Sequence, residues 1–234
     1  MKKYRFIDEF ATGLIVKDDA TVSILLDGKK VECKAPILGD ISIEGIPCLV
    51  RTDSGKKITV EAVSDGISDT GRRSWICLRP MLYEEAFGFF LEQYMREKPI
   101  REYKAVRRCS DSEHMKCDFI VGDVAIDIKA IVPVITAHKG NIQTKLSVLL
   151  LSADYFKKSF ARLTTVKDIA KRKILMLICS YGTKGEISDY CGEEIIESAK
   201  EKGVEIWLAE MLCDADGIEL VSCQNIEDCH ALIP

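Results

Sequence analysis

Apolar and polar residues alternate in short runs along the first third of the chain. Phe10 to Val16, Thr21 to Leu26, Lys30 to Ile37, Ile46 to Arg51, Lys57 to Val63 and Ser74 to Leu78 each read as a strand. Asp27-Gly28 and Ser54-Gly55 punctuate them as hairpin turns. Short strands with no helix between them predict a compact barrel of about five strands, of the oligonucleotide-binding (OB) type, or a small sandwich, which would read alike.

At Pro80 the period changes. Leu82, Ala86, Phe89, Phe90 and Gln93 recur at helical spacing, and Pro99 ends the helix. Strands are expected at Arg101 to Arg108, Lys116 to Val121 and Val124 to Val134. A mainly helical stretch follows from about Leu146 to Ala170, then a buried strand at Lys173 to Ser180. Glu193 to Lys202 reads as a helix stopped by Gly203, and Val204 to Leu212 as a further strand. This order is that of a mixed α/β (α+β) domain. The expected division is a β domain over residues 1–78 and a mixed domain over residues 79–234.

Of 234 residues, 47% are apolar and 30% charged, enough to bury a core, which argues against disorder. The net charge of -4 rules out a generally basic surface for holding nucleic acid, so any such binding depends on local positive charge. Basic runs at Arg96/Lys98/Arg101, Arg107-Arg108, Lys157-Lys158 and Lys171-Arg172-Lys173 are the candidates. The 10 cysteines include no CxxC pair, so neither a zinc ribbon nor a thioredoxin-type motif is written here. Most lie in apolar surroundings, where a reduced thiol behaves as a small hydrophobe. Asp8 and Glu9 interrupt any signal-peptide core, and no apolar run is long enough to span a bilayer. The expectation is a cytoplasmic protein with no membrane partner.

The segment with most chemical content is Cys117-Asp118-Phe119-Ile120-Val121-Gly122-Asp123-Val124-Ala125-Ile126-Asp127-Ile128-Lys129. Two apolar strands flank Gly122-Asp123, a dipeptide suited to a tight turn. Pairing them around that turn sets Val121 against Val124, Ile120 against Ala125, Phe119 against Ile126, and Asp118 against Asp127. Alternation puts Lys129 on the face of Asp127, while Phe119, Val121, Val124, Ile126 and Ile128 form a core face. Directly opposed carboxylates repel. A divalent cation reverses the sign, because hard Mg²⁺ is bound by one or two carboxylates with water and phosphate oxygens. Glu85, at the edge of the buried face of the first helix, is the nearest outside candidate for a third carboxylate.

Glu on a helix, then Asp, then Asp-x-Lys on a hairpin resembles the PD-(D/E)xK nuclease superfamily. More closely, the chain resembles the sugar fermentation stimulation protein A (SfsA) family. The resemblance rests on Leu82-Tyr83-Glu84-Glu85-Ala86, Cys117-Asp118-Phe119, Asp127-Ile128-Lys129, Lys202-Gly203-Val204-Glu205-Ile206 and Asp216-Gly217-Ile218-Glu219-Leu220, over nearly the full length. It implies an N-terminal OB-like barrel and a C-terminal PD-(D/E)xK nuclease-like domain. It implies DNA or RNA as partner and phosphodiester hydrolysis with Mg²⁺, or Mn²⁺ in its place. Asp118, Asp127 and Glu85 would hold the metal, and Lys129 would position the attacking water. Two family stretches are altered, at Ala35 to Asp40 and at Val134 to Gln143, which bears on substrate contacts. The alternatives are a non-catalytic DNA-binding regulator of sugar metabolism that retains the fold, and a protein-interaction module.

Overall fold

The alternating runs of the first third form strands because alternation gives an extended chain one apolar face to bury. The computed structural model of the protein describes residues 3–6, 10–18, 21–34, 45–51, 58–67, 73–93, 106–108, 117–131, 136–138, 141–143, 153–166, 170–180 and 192–226. A two-residue strand, β1 (Tyr4–Arg5), comes first. It is followed by β2 (Phe10–Asp18), β3 (Thr21–Leu26), β4 (Lys29–Lys34), β5 (Pro47–Arg51), β6 (Ile58–Ile67) and β7 (Arg73–Cys77). The Ser54-Gly55 turn, the Ala35 to Asp40 stretch and the starts of the runs from Arg101 and Leu146 lie outside the described residues.

β2 pairs antiparallel with β3 and β5, β3 with β4, and β5 with β6. A parallel pairing of β4 with β6, through Cys33↔Ile58 and Lys34↔Thr59, closes the circuit. Closure leaves no open edge in the circuit. Its core comprises Ile15, Ile24, Val50, Val60, Val63 and Ile76, among others.

Next come helix α1 (Pro80–Gln93) and strands β8 (Val106–Arg108), β9 (Phe119–Val121) and β10 (Val124–Ala130). A separate hairpin joins β11 (Thr136–His138) to β12 (Asn141–Gln143). Then follow α2 (Ala153–Thr164), β13 (Arg172–Ser180), α3 (Glu193–Glu201), β14 (Glu205–Asp214) and β15 (Gly217–Asn225). β10, β13 and β14 run parallel as neighbours; β9 and β8 extend one side antiparallel, and β15 flanks β14. Trp75 of β7 pairs with Cys213 of β14, so the strands from both parts of the chain belong to one sheet, 13-stranded among the described residues.

Helices cover both faces of the parallel part, which is why β13 reads Ile-Leu-Met-Leu-Ile-Cys with no alternation. Ile174, Met176 and Ile178 pack with Ala86, Phe87 and Phe90 of α1. Leu175, Leu177 and Cys179 pack with Phe156, Phe160 and Leu163 of α2 and with Ile195 and Ala199 of α3. The α1-side core also takes in Leu49, Ala62, Trp75 and Cys77, so it runs across residue 79. The architecture is mixed α and β and mostly sheet, with three helices among the described residues. None of these is long and apolar enough to cross a membrane.

β1 lies against β15, with Tyr4 paired to Ile218 and Arg5 to Gly217. A β-carbon at Gly217 would collide with the carbonyl of Tyr4. Gly217→Ala is therefore expected to push β1 off the sheet and cost about 1–3 kcal/mol. An unchanged urea midpoint would show that β1 contributes nothing to stability.

Candidate functional site

The β9–β10 hairpin turns at Gly122, whose φ of 60° lies in the left-handed region open to glycine. Its ladder pairs Val121↔Val124, Ile120↔Ala125 and Phe119↔Ile126, the register expected from the sequence. Phe119, Ile126 and Ile128 pack under α1, while Ala125 and Ile120 pack under α2. By alternation Asp127 and Lys129 therefore point to the α2 face.

The ladder stops one residue before Asp118 would pair with Asp127. Asp118 donates its amide to the Ile126 carbonyl at 3.0 Å and accepts the Ile128 amide on its own Oδ2 at 2.6 Å. With β9 ended, that carboxylate oxygen supplies the acceptor that a strand would otherwise have given Ile128. The Oδ1 of Asp118 is left facing the site.

The residue that meets it carries no motif that singles it out in the sequence. Arg162, in the last turn of α2, donates from Nη2 to Asp118 Oδ1 at 3.2 Å and places Nη1 2.8 Å from Asp127 Oδ1. Lys129 Nζ lies 3.6 Å from Asp127 Oδ2. Asp127 is 0% exposed, and neither of its oxygens has a hydrogen-bond partner of good geometry among the described residues. Ser159, buried one turn before Arg162, faces Asp127 closely enough to favour its charged form, but not in hydrogen-bond geometry.

Burial first, and then the Asp118 charge, push the Asp127 carboxyl up to about 6, against the opposing pull of Lys129, Ser159 and Arg162. Burial works against the Arg162 charge as well. Asp127 and Asp118 outweigh it, and the Arg162 pKa is raised. The group is thus a buried carboxylate held with too little donor support, beside a second carboxylate and under a shared guanidinium.

Glu85 stands apart from this group, contrary to expectation. α1 covers the Ile126 and Ile128 face, whereas Asp127 points to the other. The Glu85 Oε2 instead accepts the Tyr4 hydroxyl at 3.1 Å, and burial followed by this bond raises the Tyr4 pKa. Helical spacing identified Glu85 as an edge residue without revealing which sheet face α1 would cover. Its neighbour Tyr83 is fully buried; its hydroxyl pairs with Ser180 Oγ and accepts the Cys77 amide, tying α1 to the ends of β7 and β13. Among the described residues no three His, Cys, Asp or Glu side chains gather as a metal cluster.

No protein-family model and no curated protein sequence matches the chain. Its structure is similar to that of SfsA from Pyrococcus furiosus, solved in complex with Ca²⁺, with a TM-score of 0.57 and 13% identity over 95% of this chain and 97% of that one. The fold is SfsA-like.

On this SfsA-like fold, among the described residues, the side-chain oxygens that could face a shared cation are Asp118 Oδ1 and the two Asp127 oxygens. They are hard oxygen ligands, and the Asp127 pair is buried with no partner in hydrogen-bond geometry among the described residues. That set suits, in kind, a divalent ion that completes its coordination with water and phosphate. Arg162 supplies the positive charge there in its place.

Proposed function

We propose that this chain binds nucleic acid, DNA or RNA, and hydrolyses phosphodiester bonds with Mg²⁺ or Mn²⁺ at Asp118, Asp127 and Lys129. The catalytic unit is read as a PD-(D/E)xK nuclease-like domain over residues 79–234, preceded by an OB-like barrel over residues 1–78. The closed circuit of β2 to β6, with its parallel β4–β6 closure, supports the barrel reading. The observation that carries the function is Asp127, a fully buried carboxylate whose oxygens have no partner in hydrogen-bond geometry among the described residues, set beside Asp118 and Lys129. Such a group is costly to bury, and carboxylates perturbed in this way concentrate at functional sites.

A bound cation would polarise the phosphate and lower the pKa of attacking water. The chain's own residues do the positioning. Asp118 is fixed by the Ile128 amide on Oδ2, so its other oxygen, Oδ1, keeps one direction. Lys129, on the same strand face as Asp127, holds an ammonium where it can donate to a phosphate oxygen or orient water. Lys157 and Lys158 are exposed on α2, the helix that carries Arg162, and add local positive charge to a chain of net charge -4.

A second reading, a nucleic-acid-binding regulator without turnover, is favoured by one observation: a guanidinium sits between the two carboxylates. Incubating labelled single- and double-stranded DNA and RNA with Mg²⁺ or Mn²⁺ separates the two. Cleavage is expected, falling about a hundredfold or more in Asp127→Asn and Lys129→Ala. Undiminished cleavage in Asp127→Asn would sink the site assignment. Salt-sensitive binding with no cleavage would select the regulator.

A further inference from the structure

Arg162 stands where a cation shared by Asp118 and Asp127 would stand. One planar fork meets both carboxylates, with Nη1 2.8 Å from Asp127 Oδ1 and Nη2 3.2 Å from Asp118 Oδ1. Asp127 is 0% exposed, whereas the Arg162 side chain is 35% exposed, the most of any side chain ion-paired to it here. The arginine also projects from the last turn of α2 on a flexible stem, so it can withdraw toward solvent while β9 and β10 stay in place. Lys129 is no equivalent, because a single ammonium, here 3.6 Å from Asp127, lacks the planar fork that spans two carboxylates.

The geometry points to Arg162 as a built-in competitor for the divalent cation: it neutralises Asp118 and Asp127 in the metal-free protein, and a cation enters only by displacing it. This rests on reading the carboxylate pair as a cation site, and it adds what sets the affinity of that site. The Asp127 oxygens support it, since among the described residues neither is met in hydrogen-bond geometry, so the guanidinium 2.8 Å away does not satisfy the site fully. The fold is thereby held together without metal, and the cation binds weakly because part of its binding energy goes into moving the arginine aside.

The test is calorimetric titration of Mn²⁺ into the full chain at neutral pH, without nucleic acid, for the wild type, Arg162→Met and Arg162→Lys. If the closed arrangement is favoured by the charge-assisted hydrogen bond to Asp118 and the ion pair to Asp127, removing it should tighten the Mn²⁺ Kd roughly ten- to hundredfold in Arg162→Met. A smaller tightening is expected in Arg162→Lys, whose ammonium cannot span both carboxylates. The gain should vanish when Asp127→Asn is added. An unchanged or weaker Kd in both variants overturns the proposal, as does a tightening that survives Asp127→Asn. Should Arg162→Met not fold, Arg162→Lys decides by the same criteria.

Cleavage by the wild type tests the hydrolase reading separately. A wild type that cuts while the variants bind Mn²⁺ no tighter overturns only the competitor. Tighter Mn²⁺ in the variants, with no cleavage by any form, overturns the hydrolase and leaves the competitor standing.

Discussion

Arg162→Met is expected to lower stability by about 3 kcal/mol at pH 8 in metal-free buffer, and by clearly less at pH 5. The guanidinium is the ion-pair partner common to two carboxylates, one of them wholly buried. Taking one partner from a buried pair leaves an uncompensated charge, which typically costs more than the pair contributed. The figure is set at the low end of that range because Arg162 is partly exposed and Lys129 remains near Asp127. The pH dependence separates charge from packing. Asp127 titrates at about 6 with Arg162 present, and removing a cation can only raise that value further. At pH 5 the carboxyl is therefore largely protonated and needs no counter-ion, whereas at pH 8 it must either ionise without the guanidinium or hold a proton against solvent. Urea denaturation at the two pH values measures the difference. An equal loss at both would mean that the arginine acts through its methylene packing on α2.

The hairpin register was legible because it rests on local chemistry. A Gly-Asp turn and strict alternation fix which residues face each other, and all of the pairs Val121↔Val124, Ile120↔Ala125 and Phe119↔Ile126 follow. The pattern could not show that Asp118 leaves the ladder to cap Ile128, since that depends on where β9 ends. The N-terminal strands were legible for the same local reason. β1, two residues long, carries no period to read, and in β15 the apolar residues Ile218, Leu220, Val221 and Cys223 keep no single alternation.

The least legible parts are those that depend on how helices lie over the sheet. Ser159 and Arg162 share one face of α2 at a spacing of three, among the core residues Phe156, Phe160 and Leu163. An arginine entering such a stripe signals a buried anionic partner. The sequence does not say that the partner is the Asp118–Asp127 pair, because that requires α2 to cross over β10. The misplacement of Glu85 has the same origin, with α1 on the opposite face of the sheet. Local patterning thus brought Asp118, Asp127 and Lys129 together on one hairpin. Tertiary packing chose a guanidinium, not a third carboxylate, as their neighbour.

Asp127→Asn is expected to do the reverse of the arginine variant, raising stability by about 3 kcal/mol above pH 6 in metal-free buffer and by nothing below about pH 4. The carboxyl is raised from 3.8 to about 6 in the folded protein, so the fold favours its protonated form. Whatever stability that preference contributes is fully present below the unfolded value, and it is lost as pH rises through the folded value. An asparagine mimics the protonated carboxyl at every pH and so keeps what the wild type loses over the window from about 4 to 6. Relief of the repulsion with Asp118 and of the cost of burying a charge are the two sources, burial being the larger. Melting temperatures of both proteins from pH 4 to pH 8 should coincide at the acid end and diverge upward through that window. A variant less stable than wild type at pH 8 would mean that the Asp127 charge is a net support of the fold, held by Arg162 and Lys129 more strongly than burial opposes it. The same protein tests the cation site: Mn²⁺ should raise the wild-type melting temperature at pH 8 and move that of Asp127→Asn much less, since the ion removes in one what the substitution has already removed in the other. Equal shifts would place the bound ion elsewhere on the chain, and the buried carboxylate would then need an explanation other than metal.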